Sequence, residues 1–262
     1  GFGDDNPNLA QQSAGLVYNI WRTNGLSNTF GTDINTSPTH IPNMFWNASG
    51  GTQGQLNGSY SSIVNTGAAI ADNLFVVGTE GLLVPGVGNE QYEGNIPEVI
   101  VYNQNLSGTI EAQKINSYLA IKYGVSLSHN YLSSNGTTIY SVASYATNIM
   151  GIGRDDASAL YQKQSTSVAS KCGLVLGLGT NLNNTNQANT NTLSDNQFVV
   201  VGNNGLGEQL STTLSYMAPG GEVNSRFAAI WKVQNTGNVH IKPHGNIFIS
   251  NGGKDIAILD VN

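Results

Sequence analysis

The sequence predicts an all-β protein, with two β-sandwich-like modules joined by one amphipathic helix. Three observations carry that expectation. Charged residues make up 10% of the 262 positions, against about 25% in an ordinary soluble domain. Much of the remaining polar content is Gly, Asn, Ser and Thr, which suits turn-rich sheets better than helices, whose outer faces usually carry Glu, Lys and Arg. Short apolar runs of β character recur between turn signals, and a single segment has helical periodicity.

The turns come first. Asn-Gly pairs occur at Asn24-Gly25, Asn57-Gly58, Asn135-Gly136, Asn204-Gly205 and Asn251-Gly252. Such pairs tolerate positive φ at both positions and favour two-residue hairpins. Between them the runs 16–21, 74–77, 97–102, 149–152, 174–178, 198–201, 227–233, 247–249 and 256–259 read as strands. Many short strands with such punctuation point to sandwiches or barrels. Residues 107–123 read as the helix. Ser107 is placed to cap its start, Glu111 and Lys122 match the macrodipole, and Gly124 supplies the left-handed stop. Ile115, Tyr118, Leu119 and Lys122 share one face of it and form the expected apolar stripe, with the lysine stem at the edge. The expected organisation is a β domain over 1–106, a connecting helix over 107–124 and a second β module over 125–262. The Asn- and Thr-rich stretch 181–196 reads as a solvated loop. A flat Thr/Asn ice- or glycan-binding face would require a strict repeat that it lacks.

Composition excludes several partners. The net charge is −6, and ten scattered basic residues make no stripe for phosphates. Nothing approaches an 18-residue apolar run, so no membrane span is expected. The single cysteine, Cys172, permits neither an intramolecular disulfide nor a Cys-cluster zinc site, and a thiol-poor chain suits oxidising surroundings. The first residues, Gly1 to Asp5, are polar and acidic and do not read as a signal peptide. The expectation is a mature form or a piece of a longer chain.

Two stretches resemble known modules. Gly94-Asn95-Ile96-Pro97-Glu98-Val99-Ile100-Val101-Tyr102-Asn103, then Leu106-Ser107, then the helix from Lys114 to Gly124, resembles the C-terminal end of laminin-G/concanavalin A-like jelly rolls in large surface proteins of Bacteroidetes-type bacteria. Ile149-Met150-Gly151-Ile152-Gly153-Arg154-Asp155-Asp156, with Ser158 and Gln162-Lys163-Gln164-Ser165, is similar to the β module that commonly follows. Phe198-Val199-Val200-Val201-Gly202-Asn203-Asn204 and Trp231-Lys232-Val233-Gln234 fit that same module. The likeness covers most of 75–235; residues 1–74 match loosely and 236–262 depart from it. The stretch before the helix is short for a complete jelly roll. The resemblance therefore implies that the chain starts inside that domain, or that its first strands come from another chain. It also implies an extracellular or cell-surface location, other domains of a longer parent chain as partners, and adhesion or glycan binding, sometimes with calcium. Fold alone does not establish function.

The fold also hosts glycosidases, whose chemistry makes definite demands on the residues. Retaining hydrolysis needs two carboxyl groups about 5–5.5 Å apart, which strands supply as Glu-x-Asp-x-Glu on one face. None of Glu80, Glu90, Glu93, Glu98, Glu111, Glu208 and Glu222 has an aspartate two residues on. No Gly-x-Ser-x-Gly elbow and no phosphate-binding loop is present. Lys171 could activate an exposed Cys172 thiol, although a half-buried strand start is the simpler reading. His240 and His244 sit four apart but flank Pro243, which opposes the helix they would need to share a metal. His40 and His129 read as surface residues. Arg154-Asp155-Asp156 is the densest charge cluster. Its aspartates fit turn hydrogen bonds and an ion pair to Arg154, or alternatively a calcium site at Asp155 and Asp156. Trp21, Trp46, Tyr60 and Tyr92 could offer ring faces to a sugar, the alternative being that Trp21 and Trp46 belong to the core. Trp231 reads as core. The resulting expectation is a non-catalytic adhesion or carbohydrate-binding segment. A pure spacer is the first alternative, and a fragment of a polysaccharide-degrading enzyme with its catalytic strands upstream is the second.

Overall fold

The computed structural model describes residues 8–11, 18–21, 27–30, 39–47, 51–63, 77, 94–169, 174–179, 185–206, 210–211, 217–218, 221–222, 226–237 and 239. Among these the protein is mainly strands, arranged in several antiparallel sheets, with one α-helix. The chain divides into two compact units, Gly1–Asn116 with Leu127–His129, and Ser117–Ser126 with Asn130–Asn262. The division falls inside the helix.

In the first unit, β1 (Asn8–Gln11), β2 (Tyr18–Trp21) and β3 (Ser27–Phe30) form one meander. A second is built from β4 (Pro42–Asn47), β5 (Gly51–Leu56) and β6 (Ser59–Tyr60). Asn57 and Gly58 are the two-residue loop between β5 and β6, with φ of 49° and 88°. This is the primed turn that an Asn-Gly pair favours, because its twist matches that of the flanking strands. Phe45 in β4 packs with Leu106, Ala112 and Ile115 into a small apolar cluster.

The second unit is centred on a four-stranded antiparallel sheet. Its members are β9 (Thr147–Asp155), β10 (Leu160–Gln162), β13 (Gln197–Asn203) and β18 (Trp231–Thr236), in the order β10-β9-β13-β18. Smaller pairs join β7 (Tyr131–Leu132) to β8 (Thr138–Tyr140), β11 (Gln164–Ser165) to β12 (Leu176–Gly177), β14 (Leu210–Ser211) to β17 (Arg226–Phe227), and β15 (Met217–Ala218) to β16 (Gly221–Glu222). Strands β9 and β13 are buried over most of their length, including Ile149, Met150, Phe198 and Val200. The alternating glycines of β9 have a spatial reason. A Cβ on Gly151 would sit 2.6 Å from Ile121 of the helix, and one on Gly153 would enter the ring of Phe198, its directly paired neighbour. Bare backbone at these two positions lets the helix and an aromatic ring lie flat on the sheet. Tyr131 and Tyr140 meet edge to face at 6.0 Å beside it.

Helix α1 spans Ile110–Tyr123, three residues shorter at its start than the sequence suggested. Thr109 is the cap in place of Ser107: its Oγ1 accepts from Ala112 N–H at 3.3 Å and donates to the Leu106 carbonyl at 2.7 Å. Gly108 has φ of 71°, which keeps Ser107 out of the helix, and the Ser107 hydroxyl donates to Gln53 instead. The stop behaves as expected. Gly124 has φ of 66°, and Val125 N–H reaches the Ala120 carbonyl at 3.0 Å, the 6→1 bond of a Schellman end. The buried stripe differs from the expected one. Ala112, Asn116, Ser117, Ala120 and Ile121 are buried, while Ile115, Tyr118, Leu119 and Lys122 are only half-buried. Small residues allow close approach to the sheets, and the two polar ones are hydrogen-bonded, so apolar periodicity pointed to the wrong face.

Several strands also shift. The run 97–102 joins no sheet, 174–178 contributes only β12, and 227–233 is split between β17 and β18. The run 247–249, the run 256–259 and all of 74–77 except Val77 lie outside the described residues. No helix among the described residues is long and apolar enough to cross a membrane.

Candidate functional site

The first candidate is the β4-β5-β6 sheet, which carries two of the four aromatic residues singled out above. Cross-strand pairs share a face, and neighbours along a strand alternate. Trp46 pairs with Thr52 and Tyr60 pairs with Gln55, so Trp46 and Tyr60 lie on opposite faces of this sheet. They cannot form one sugar platform. Trp46 is half-buried, and its indole nitrogen is shielded from solvent without an acceptor among the described residues. Tyr60 is exposed at 40%, packs on Phe45 at 5.7 Å and accepts a 3.0 Å bond from Gly108 N–H. Trp21 lies in β2, its side chain beyond what is described, and Tyr92 lies outside the described residues.

The Tyr60 face is instead organised by carboxamides. Asn43 Nδ2 donates to Gln55 Oε1 at 2.8 Å and to Asn116 Oδ1 at 2.9 Å, and Asn116 Nδ2 donates to Gln55 Oε1 at 2.6 Å. Gln55 and Asn116 are buried. An uncharged network closed in this way avoids orphaned buried groups and fixes one arrangement of helix on sheet within the first unit.

The same device recurs in the second unit. Asn186 accepts from Lys163 N–H at 2.6 Å and donates to the Tyr161 carbonyl at 2.8 Å, imitating a neighbouring strand. Gln234 bridges Ser141 N–H and the Thr138 carbonyl, and Asn204 bridges Ile230 N–H and the Ala228 carbonyl. Asn189 is fully buried and Leu193 nearly so. The described part of the Asn-rich stretch, 185–196, is a mostly exposed loop, as expected, pinned to the fold at Asn186, Asn189 and Leu193.

The charge cluster resolves into separate contacts. Asp155 is buried, and its two oxygens accept from Ser134 N–H at 2.7 Å and Ser134 Oγ–H at 2.6 Å. Asp156 is exposed and takes a two-pronged bond from Arg154, at 2.7 and 2.9 Å. That bond holds the Asp156 carboxyl below its ordinary pKa and the Arg154 guanidinium above its own. Asp195 accepts from Asp156 N–H at 2.8 Å and from Asn196 Nδ2 at 2.8 Å. Donors occupy these carboxylates, and among the described residues no group of three or more His, Cys, Asp or Glu could hold a metal ion. Asp155 and Asp156 thus make the turn hydrogen bonds and the ion pair of the structural reading.

Cations are engaged likewise. Lys114 pairs with Glu111, Lys122 donates to Tyr118, Lys163 to the Asn189 carbonyl and Lys232 to the Ser141 carbonyl. Tyr161 lies under both Arg154 and Lys163, at 5.2 and 4.6 Å. Burial raises the Tyr140 phenol to about 12. His40 and His129 are half-buried rather than on the surface, Trp231 is half-buried rather than core, and Cys172, His240 and His244 lie outside the described residues.

What sequence reasoning missed is the stretch before the helix. The expected strand 97–102 joins no sheet, and the apolar side chains of this stretch are exposed: Ile96 at 43%, Val99 at 48%, Ile100 at 40%, Val101 at 66% and Tyr102 at 50%. Contiguous exposure of this kind marks contact surfaces. The signal was present as a run with no polar alternation, which reads equally as a strand buried on both faces.

Neither the curated proteins nor the solved structures contain a match to this chain. A family model described as a domain of unknown function, DUF8202, matches residues 111–253, which takes in the helix and the four-stranded sheet. That match spans more than half of the 262 residues, and the chain therefore belongs to the DUF8202 family.

Proposed function

We propose that the chain is a non-catalytic module of a bacterial cell-surface or secreted protein and that it works in adhesion. The observation that carries this reading is the exposed apolar run from Ile96 to Tyr102. A stretch of this composition outside any sheet offers both main-chain groups and side-chain contacts to a partner, as in strand addition. Further support comes from the carboxylates of Asp155, Asp156 and Asp195, each of which accepts hydrogen bonds from groups of the fold. The separation of Trp46 from Tyr60 argues for a protein-like contact over a two-ring sugar site.

The test replaces Val99 and Val101, both exposed within this run. Beads coated with the wild-type chain are expected to stay on bacterial cells or extracellular matrix, and beads coated with the Val99→Lys/Val101→Lys variant are expected to wash off with unfolding unchanged. Equal retention of both proteins overturns the reading. A glycan array run in parallel shows whether the contact is instead to sugar, in which case it survives the lysines.

A further inference from the structure

We propose that Asn57, Asn135 and Asn204 are modification sites of the unfolded chain alone, so that these three Asn-Gly turns record whether the protein has opened. Asn-Gly is the dipeptide most open to succinimide chemistry, because glycine leaves the attacking nitrogen uncrowded. The glycine main-chain nitrogen loses its proton to hydroxide and attacks the asparagine Cγ. The bond from Cγ to the side-chain nitrogen breaks, and that nitrogen takes a proton from water, which restores the hydroxide, and leaves as ammonia. Water then opens the ring to aspartate or isoaspartate.

The fold holds both reactants. Gly136 N–H donates to the Ser133 carbonyl at 2.9 Å, while Asn135 Oδ1 accepts from Thr137 N–H at 2.9 Å and from the Ser133 hydroxyl at 2.7 Å. Gly205 N–H donates to Asn203 Oδ1 at 3.0 Å, while Asn204 Oδ1 accepts from Ile230 N–H at 3.1 Å and Nδ2 donates to the Ala228 carbonyl at 3.3 Å. Asn57 Oδ1 accepts from Ile41 N–H at 2.8 Å, and its own N–H reaches the Ile41 carbonyl at 3.0 Å. Gly58 is buried against the His129 ring. Each attack therefore requires local opening, and its rate falls with the open population.

Conversion also has a consequence for refolding. Isoaspartate at 57 adds a main-chain atom inside a two-residue hairpin and disturbs the Leu56–Ser59 pair. A carboxylate at 135 or 204 loses the donor that reaches Asn196 or the Ala228 carbonyl. Unfolding becomes one-way once the turns have reacted.

The experiment incubates the full chain in mildly alkaline buffer with and without concentrated urea, and reads each site by peptide mass spectrometry. All three asparagines should convert in urea, and at least about tenfold more slowly in the folded chain, as expected for reaction through rare opening. Urea-aged protein should lose the ability to refold in step with conversion. An Asn203→Ala variant, which frees Gly205 N–H, should speed conversion at Asn204 while 57 and 135 stay protected. Equal rates with and without urea, acceleration of all three sites in the variant, or full refolding of converted chains overturns the proposal.

Discussion

Replacing Gly124 with alanine isolates how the helix end is fixed in the second unit. Two costs add at this position. The backbone has φ of 66°, and an L-residue held there loses about 1–2 kcal/mol. In addition, a Cβ would overlap the Thr166 carbonyl oxygen and lie 3.2 Å from its carbon. Both partners are main chain, and Val168 N–H already holds the Gly124 carbonyl at 3.0 Å, so the overlap can be relieved only by shifting a strand connection. Overpacking of this kind costs about 1–3 kcal/mol. The expected total is about 2–5 kcal/mol, summed from these two ranges. Gly108 provides the comparison: its φ is 71°, and nothing lies within 4 Å of its would-be Cβ. Gly108→Ala should therefore cost only the backbone share, about 1–2 kcal/mol. Gly124→Asn completes the set, because asparagine tolerates the left-handed region but keeps the overlap. Urea denaturation followed by tyrosine and tryptophan fluorescence gives the three midpoints. If Gly124→Ala costs no more than Gly108→Ala, the close approach of Thr166 is not what selects glycine here.

Other expectations concern capping, buried polar groups and pH. Thr109→Ala should destabilise by about 1 kcal/mol as a lost cap, and Ser107→Ala should leave helix content by circular dichroism unchanged. Asp155→Ala orphans two donors of Ser134 and should cost about 1–3 kcal/mol in urea denaturation; a null effect would mean that solvent reaches them. Asn116→Ala opens the Asn43–Gln55 network and should cost a similar amount, about 1–3 kcal/mol. The Tyr140 phenol is raised from 10.0 to about 12. A raised folded value gives stability that is complete below the unfolded pKa and lost as pH rises through the folded one. The wild type should lose stability between pH 10 and about 12, and Tyr140→Phe should flatten that part of the profile.

The legible parts of the fold were those governed by local chemistry. The Asn57-Gly58 hairpin, the Gly124 stop and the strands centred on Ile149–Ile152 and Phe198–Val201 follow from turn residues and apolar runs. The cap moved from Ser107 to Thr109 because the positive φ of Gly108 decides where helical geometry can begin, and both hydroxyl residues precede suitable sequence. The buried helix face escaped because its contacts are small or polar, and a hydropathy pattern cannot register Asn116 paired with Gln55 sixty-one residues away. In the Asn-rich stretch the solvated reading holds for most described residues, and what composition could not register is that Asn186 and Asn189 bond main-chain groups of neighbouring segments. Aromatic residues near Gly and Asn suggested a platform, but a strand's two-residue alternation placed Trp46 and Tyr60 on opposite sides.

The most direct test of a non-catalytic adhesion role measures binding and bond cleavage together. Purified chain is incubated with a broad panel of immobilised polysaccharides and cell-surface extracts, and both retained protein and newly formed reducing ends are counted. Retention that depends on Val99 and Val101, with reducing ends at the level of the protein-free control, is the predicted result. Time-dependent release of reducing ends by the chain would contradict it.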